Sequence, residues 1–573
     1  MQKEEIHFHE ITLKDKEWME ARFQETNLCA CEFSFATNFL WRKTRRIEVA
    51  EYLGCGICHI YGEKDDYYLY PFGNGDRVGV IEKLWKICKI KNTKLRFYPI
   101  VEEQRKELLK HFRGKFEIDA RRDDYDYIYT SEKLAYLRGK KLHSKRNHIA
   151  RFCDTDDWSY EPLNIDNSNE CFQMSMEWAK QRAEKWNQKM DDEMKALQEA
   201  LSLFKELSLV GGVLRKAGKI VAFAIGEPLS SDTFDVRFEK AIPSLQGAYS
   251  MINQQFVLHE GMDFRYINRE EDTGDAGLRK AKMSYYPDIL LKKYCAVESD
   301  IVFALREEEE EIIELWEECF HDSREYIRFY LKNRFTEENM LVFHEDGKIV
   351  SMASFLPVEI RCREKYVEGR YVYAVATRKA YRNRGYARKI LAYAKEKYKE
   401  PLILQAASEE LKEFYQEIGF REISQKKEEE RKIARYERAL GAAEISTKTD
   451  ITEPTPKRYK ELRDACFESE GYVKWSEDAV AYAIEENAFV GGRTIEKEHM
   501  ILMYHIENKT LYITETTMNE KILEETCMEI LHDVGGERVC FCNKGGMLYL
   551  PLELEKGQIG KDKRTGYLNL TLG

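Results

Sequence analysis

Proline and glycine are scarce in this chain, 11 and 32 of 573 residues, so segment boundaries must be read from charge and hydrophobic pattern. No run approaches the roughly 18 consecutive apolar residues that a membrane helix needs. The opening Met1-Gln-Lys-Glu-Glu-Ile-His lacks the apolar core of a leader peptide, and a soluble, cytoplasmic protein is expected. The 14 cysteines are too few for a disulfide scaffold and are expected to be reduced thiols. An excess of positive charge is also missing. With 91 basic and 102 acidic residues the net charge is −11, which excludes nucleic-acid binding by global charge. Apolar material is plentiful: 43% of residues are hydrophobic, with 34 Tyr, 28 Phe and 8 Trp. A largely disordered chain is thereby excluded, and at roughly 150 residues per domain the length implies about four cores.

Three breaks divide the chain. Residues 119–126 are charge-rich and follow a β-like run. A second break lies near 297–311, where Glu307 to Glu311 read as the exposed, dipole-matched start of a helix. The third, 440–458, is a Thr- and Pro-rich connector. The expected units are 1–130, 131–296, 298–440 and 455–573. Each mixes amphipathic helices with short alternating strands, as an α/β (α+β) unit would. Cys55-Gly-Ile-Cys58-His59 spells the C-x-x-C-H haem pattern, but it sits in an apolar stretch with no second Cys pair. Buried strand cysteines are expected there, with no haem and no metal.

Residues 341–424 carry the clearest chemistry. A strand pair turns at Glu345-Asp-Gly-Lys348, and Tyr371-Val-Tyr-Ala-Val-Ala-Thr377 forms a further strand. It runs into Arg382-Asn-Arg-Gly385-Tyr386-Ala387, and a helix follows with Ala387, Ile390, Leu391 and Ala394 on one face. The free N–H groups of a first helical turn, the helix dipole and a glycine that admits close approach together make a pyrophosphate cradle. Next come the strand at Leu402 and a helix from Ser408 to Ile418, with Leu411, Phe414, Tyr415 and Ile418 facing inward, closed by Gly419-Phe420.

Arg382-x-x-Gly385-x-Ala387 followed by Phe414-Tyr415-x-x-x-Gly419-Phe420 resembles the acetyl-CoA signatures of the GNAT acyltransferase superfamily. The resemblance implies tandem GNAT-like mixed sheets flanked by helices, about four units in all. It also implies acetyl-CoA or another acyl-CoA as donor and an unidentified amine as acceptor. Arg384 to Ala387, with Arg382 and Tyr386, would hold the pyrophosphate, and Val375 the pantetheine arm. Tyr415 would protonate the departing thiolate. Glu359 and Glu368 are candidates for the base.

Residues 131–151 carry seven Lys/Arg against one Glu, with His143 and His148 interleaved. In an acidic chain this is a local phosphate-binding strip. Downstream, charged strand ends around Asp235, Lys240 and Asp272 converge on the basic, glycine-containing stretch 274–287, which reads as a polar cleft. These stretches resemble the C-terminal catalytic domain of lysylphosphatidylglycerol synthetases, over about residues 1–296. The resemblance implies two packed GNAT-like folds that pass an aminoacyl group from tRNA to a lipid or another acceptor. It places Glu239, Lys240, Asn268, Glu270, Asp272, Arg279 and Lys282 in the cleft, and Lys145, Arg146 and His148 against phosphate. Aminoacyl-tRNA would sit at 133–151, and any lipid would be reached from solution by peripheral membrane contact. Pro243-Ser-Leu-Gln-Gly-Ala-Tyr249 stands where a pyrophosphate loop would be, without the Arg-x-x-Gly-x-Ala pattern.

Residues 459–573 read as a degenerate acyltransferase-like half. A helix follows the Ser476 cap, a hairpin turns at Glu507-Asn508, and Gly535-Gly536 caps the next helix. Three readings follow: acyl-CoA-dependent N-acyltransferase, aminoacyl-tRNA-dependent transferase, and non-catalytic acyl-CoA-binding module.

Overall fold

A computed structural model of the chain describes residues 5–154, 157–180, 188–345, 347–362, 365–423, 451–467, 472–541 and 547–550. Most of the expected 440–458 connector lies outside the described residues. The chain forms two units, Met1–Ser299 and Asp300–Gly573.

The first unit holds two seven-stranded sheets. One takes its strands from the first 120 residues, except that Tyr294–Glu298 returns to pair between Arg96–Ile100 and Phe116–Ala120. Cys55–Ile60 is a strand of this sheet, buried along its length. The other sheet runs Ile289–Leu291, Asp126–Thr130, Tyr266–Asn268, Thr233–Ala241, Lys219–Pro228, Val210–Lys216, Trp158–Pro162.

The second unit holds an eight-stranded and a four-stranded sheet. In the larger sheet Met340–Glu345, Lys348–Cys362 and Lys365–Thr377 form an antiparallel meander, and Leu402–Gln405 joins it parallel. Met547–Leu550, from the far end of the chain, then inserts antiparallel between Leu402–Gln405 and Arg421–Ile423. The smaller sheet orders Arg493–Lys497, Met500–Glu507, Thr510–Thr516 and Arg538–Phe541. Cys540 lies on its last strand.

One device recurs in all four sheets. Each contains one parallel pair: Tyr68 beside Phe97, Thr233–Ala241 beside Tyr266–Asn268, Arg370 beside Leu402, and Thr510–Thr516 beside Arg538–Phe541. Parallel neighbours need a crossover, usually a helix. The helices are Arg77–Ile90, Ala248–Phe256, Tyr386–Tyr398 and Glu520–Val534. Four mixed α/β layers of one kind are therefore repeated along the chain.

Two sequence expectations change. Glu308 is not an exposed helix start. It is 2% exposed, accepts from the Leu305 N–H at 2.9 Å and meets His344 Nε2 at 2.8 Å. Leu411 does not face inward but is 43% exposed; it lies in the first turn of the helix, where the Ser408 hydroxyl accepts from its N–H at 3.2 Å.

Met547–Leu550 covers the hydrogen-bonding edge of a strand whose Leu402, Ile403 and Leu404 are all buried. Bare edges of this kind template aggregation. A chain ending at residue 423 is therefore expected to aggregate, whereas residues 300–573 give a monodisperse peak by size exclusion and a cooperative thermal melt.

Candidate active sites

The four crossover helices differ at their N-termini, where N–H groups lack intrahelical partners. Asp76 and Asn519 cap two of them with their own side chains, accepting from the Gly79 and Ile522 N–H groups. The other two start on glycines in the left-handed region, Gly247 at φ +86° and Gly385 at φ +79°. A Cβ at Gly247 would stand 2.1 Å from the His148 carbonyl oxygen, so the helix His143–Phe152 already fills that space. A Cβ at Gly385 would meet nothing within 4 Å. Arg382, Asn383, Arg384 and Gly385 are all exposed. Of the four, the Gly385 terminus alone combines open space with uncapped amides.

The strand leading to this loop is broken in register. Met352 pairs with Ala376 and Ser354 with Tyr373, so Ala374 and Val375 together oppose Ala353. Ala374 takes φ +51° to make this bulge. The parallel pairing with the next strand covers Arg370–Leu402 and Tyr371–Ile403, although the strands run on to Thr377 and Gln405. Beyond Tyr371 and Ile403 the two strands are unpaired with one another, which leaves a wedge there; Val375 and then the Gly385 loop follow on the first strand. Around that loop Arg382 Nε donates to the Thr377 carbonyl at 3.2 Å, Arg384 lies 3.6 Å from Glu345, and the Tyr386 hydroxyl donates to Glu345. Ala387 is half-buried in the first turn.

Tyr415 is buried between Phe414 and Phe420, ring centroids 5.2 and 5.6 Å away. Burial pushes its phenol up to about 12, which keeps the O–H form a proton donor needs. Glu359 and Glu368 sit directly opposite one another on the antiparallel hairpin, both exposed. Glu368 is six residues from Ala374, about 20 Å of strand, and neither carboxylate is brought to the wedge.

A different carboxylate stands nearer. Glu486, on the helix Glu477–Phe489, is 8% exposed and accepts from the Tyr326 hydroxyl at 2.6 Å and the Tyr482 hydroxyl at 3.0 Å. Tyr326 in turn lies 3.4 Å from the hydroxyl of Tyr373, the residue just before the bulge. Burial pushes the Glu486 carboxyl up to about 7. On the same strand Tyr371 is pushed up by burial and then by Tyr330, Tyr415 and Glu486 together. Sequence reasoning missed Glu486 because it lies on a helix about 100 residues beyond the glycine loop. The cue was a single Glu among the apolar positions Ala479, Val480, Tyr482 and Ala483.

In the first unit most of the expected cleft residues gather around the strand Tyr266–Asn268 and the helix Ala276–Met283. Asp272 accepts from the Tyr127 hydroxyl at 2.5 Å, from Arg279 Nη2 at 2.7 Å and from the Gly274 N–H at 2.9 Å. Although burial opposes it, these donors hold the carboxyl at about 2. Lys282 donates to the Arg269 and Glu271 carbonyls, and burial lowers its ammonium. Asn268 donates to Asp126 at 2.9 Å, and Arg269 to Glu239 at 3.0 Å. Lys240 lies apart from these, bonded to Glu193 at 2.6 Å above the Trp178 ring.

Joined to this cluster through the Asn268–Asp126 hydrogen bond is a charged interior that sequence reasoning missed in part. Lys293, fully buried, donates to Asp126 and Glu32 at 2.7 and 2.8 Å. Arg237 donates to Glu227 at 2.5 Å and to Asp235 at 3.0 Å, and reaches Glu270 at 3.5 Å. Burial pushes Glu32 up to about 7, Asp235 up to about 8 and Glu270 well above its usual range. Cys31 Sγ, Glu32 and Glu271 offer ligand atoms within 4.8 Å of one another. The Lys293 ammonium lies 3.4 Å from that sulfur, and its charge opposes a cation there. The alternating charges of Asp235-Val-Arg237-Phe-Glu239 were the visible cue; Asp126 and Lys293 had none.

The basic strip divides by side. Arg146 donates to the Leu137 and Gly139 carbonyls, and Lys145 lies over the Tyr285 ring at 4.0 Å, its ammonium lowered to about 8 by burial and by Arg269. His148 is half-buried beside Gly247. Arg138, Lys140, Lys141 and Arg151 face solvent.

Residues 24–297 match the family model of the phosphatidylglycerol lysyltransferase C-terminal domain, and residues 301–423 that of the acetyltransferase (GNAT) domain. A conserved protein of unknown function from Bacteroides thetaiotaomicron, known from its crystal structure, is 36% identical over 52% of this chain and 100% of its own, with a TM-score of 0.50. The L-PGS structure from Bacillus licheniformis is 19% identical over 49% of this chain and 91% of its own, with a TM-score of 0.37. An uncharacterized protein of Mycoplasmoides gallisepticum is 23% identical over 198 residues, 32% of this chain, and the match spans 60% of that relative's length. No helix among the described residues is long and apolar enough to cross a membrane. The chain thus carries, over residues 24–297, a stretch similar to the phosphatidylglycerol lysyltransferase C-terminal domain family and, over residues 301–423, a stretch similar to the acetyltransferase (GNAT) domain family.

Proposed function

We propose that the second unit is an acyl-CoA-dependent N-acyltransferase. The observation that carries this reading is the pairing of an open glycine at a helix N-terminus with a wedge between two parallel strands. The uncapped amides after Gly385 suit the pyrophosphate, and the exposed Arg382 and Arg384 would turn toward it by exchanging their present partners, the Thr377 carbonyl and Glu345. The wedge suits an extended pantetheine arm, and the bulge at Ala374–Val375 turns backbone groups toward the thioester. There the acceptor amine attacks the carbonyl carbon and an oxyanion forms. The C–S bond then breaks, and the thiolate takes the Tyr415 proton.

Gly385→Glu fills the cradle with a side chain and a negative charge. Calorimetry is expected to show acetyl-CoA binding in the wild type and none in this variant; equal affinities would remove the reading. Tyr415→Phe keeps the packing and is expected to lower kcat on the order of 100-fold while leaving acetyl-CoA affinity unchanged.

A second reading applies to the first unit, which would transfer an aminoacyl group from tRNA to a lipid or other acceptor. Its interior holds six acids, Glu32, Asp126, Glu227, Asp235, Glu270 and Glu271, against three bases, Lys293, Arg237 and Lys282, and the cationic amine of an aminoacyl group would favour the charged form of those acids that burial pushes up. The Gly247 terminus, filled by His148, does not suit CoA. Solvent-facing Lys140, Lys141 and Arg151 would contact phosphate. Replacing all three by Glu is expected to weaken tRNA binding and to flatten its log–log salt slope by about one unit per residue, as read by filter binding across a salt series.

A further inference from the structure

Resting on the acyl-CoA reading of the same site, we infer that Glu486 is the proton acceptor for the incoming amine, reached through the hydroxyls of Tyr373 and Tyr326. The hydrogen-bond directions point one way. A carboxylate oxygen only accepts, so the Tyr326 hydroxyl spends its proton on Glu486. That leaves the Tyr326 oxygen as the acceptor for the Tyr373 hydroxyl, 3.4 Å away. The Tyr373 oxygen is then left to accept from a group at the neighbouring bulge, where the thioester carbonyl would lie. An amine there has an N–H to lose.

The proton count closes. The nitrogen lone pair forms the C–N bond to the acyl carbon, and the C–S bond breaks. The nitrogen's surplus proton passes to Tyr373, the Tyr373 proton to Tyr326, and the Tyr326 proton to Glu486. The thiolate takes the proton of Tyr415. Solvent then moves the proton held by Glu486 back to Tyr415 before the next turnover.

The groups facing Glu486 fix its protonation behaviour. Tyr326 from the helix Arg324–Arg334 and Tyr482 from its own helix donate to it, and Arg334 favours its charged form, whereas Asp322 and burial oppose that form. Tyr330 and Tyr373 complete the surround. The result, a carboxyl that titrates at about 7, is ionised on the alkaline side and able to take a proton in neutral solution. Because Glu486 lies outside residues 301–423, the segment after 455 would supply part of the reaction chemistry instead of merely closing the sheet.

The test uses the full chain, acetyl-CoA and a panel of primary amines, with thiol release followed from pH 5.5 to 9. If no amine is taken up, the slow hydrolysis of acetyl-CoA is followed instead, since water attack needs the same acceptor. The wild-type rate is expected to rise with pH through about 7. Glu486→Gln should lose about 100-fold or more in kcat and the rise with it, at unchanged acetyl-CoA KM. Glu486→Asp should restore part of the rate, and Tyr326→Phe should lower kcat while keeping the fold, as checked by thermal melting. A folded Glu486→Gln enzyme with wild-type kcat and pH profile would overturn the assignment, as would acetyl-CoA binding without thiol release at any pH. Failure of the wild type to bind acetyl-CoA would instead remove the acyl-CoA reading on which the assignment rests.

Discussion

The first turn of an α-helix presents N–H groups that nothing within the helix can satisfy. At its four crossover helices this chain answers that constraint in three ways. Asp76 and Asn519 close two termini with side-chain oxygens. At Gly247 the backbone of a neighbouring helix comes so close that no side chain would fit. At Gly385 the space is left open. The distribution of chemistry along the chain follows from these answers, because a terminus that is already occupied has nothing to offer a phosphate. Asp76 would also repel one.

What was legible in the sequence was local. Turn residues, alternating strands and the i, i+3, i+4 spacing of Ile390, Leu391 and Ala394 lie within a few positions of each other, and the elements they imply are present. The glycine loop was readable for the same reason, since its strand, glycine and helix are consecutive. The hairpin at Glu507–Asn508 and the Ser476 cap were equally local.

What was not legible was pairing across sequence distance. Nothing near Tyr294 announces that it returns to a sheet begun before residue 60, and nothing near Glu486 announces Tyr326. Buried charge was the hardest of all. Lys293 and Asp126 look like ordinary surface residues in the sequence, and their mutual contact, with Glu32 and Asn268 beside it, makes burial tolerable. An ion taken out of water is costly unless it is paired and hydrogen-bonded. Glu308 misled for a related reason: a run of five glutamates reads as solvated, yet His344 and the Leu305 amide draw one of them inside.

The last described strand, Met547–Leu550, lies inside its sheet, second from the edge, with a strand paired on each side. During synthesis this has a kinetic meaning. The strands on either side of the gap leave the ribosome more than a hundred residues before the strand that fills it, several seconds at about 5–20 residues per second. Throughout that interval the nascent sheet holds this slot open, and its completion waits on a contact of long sequence separation, the kind that folds slowly. The second unit would thus become whole only after residue 550 has been made.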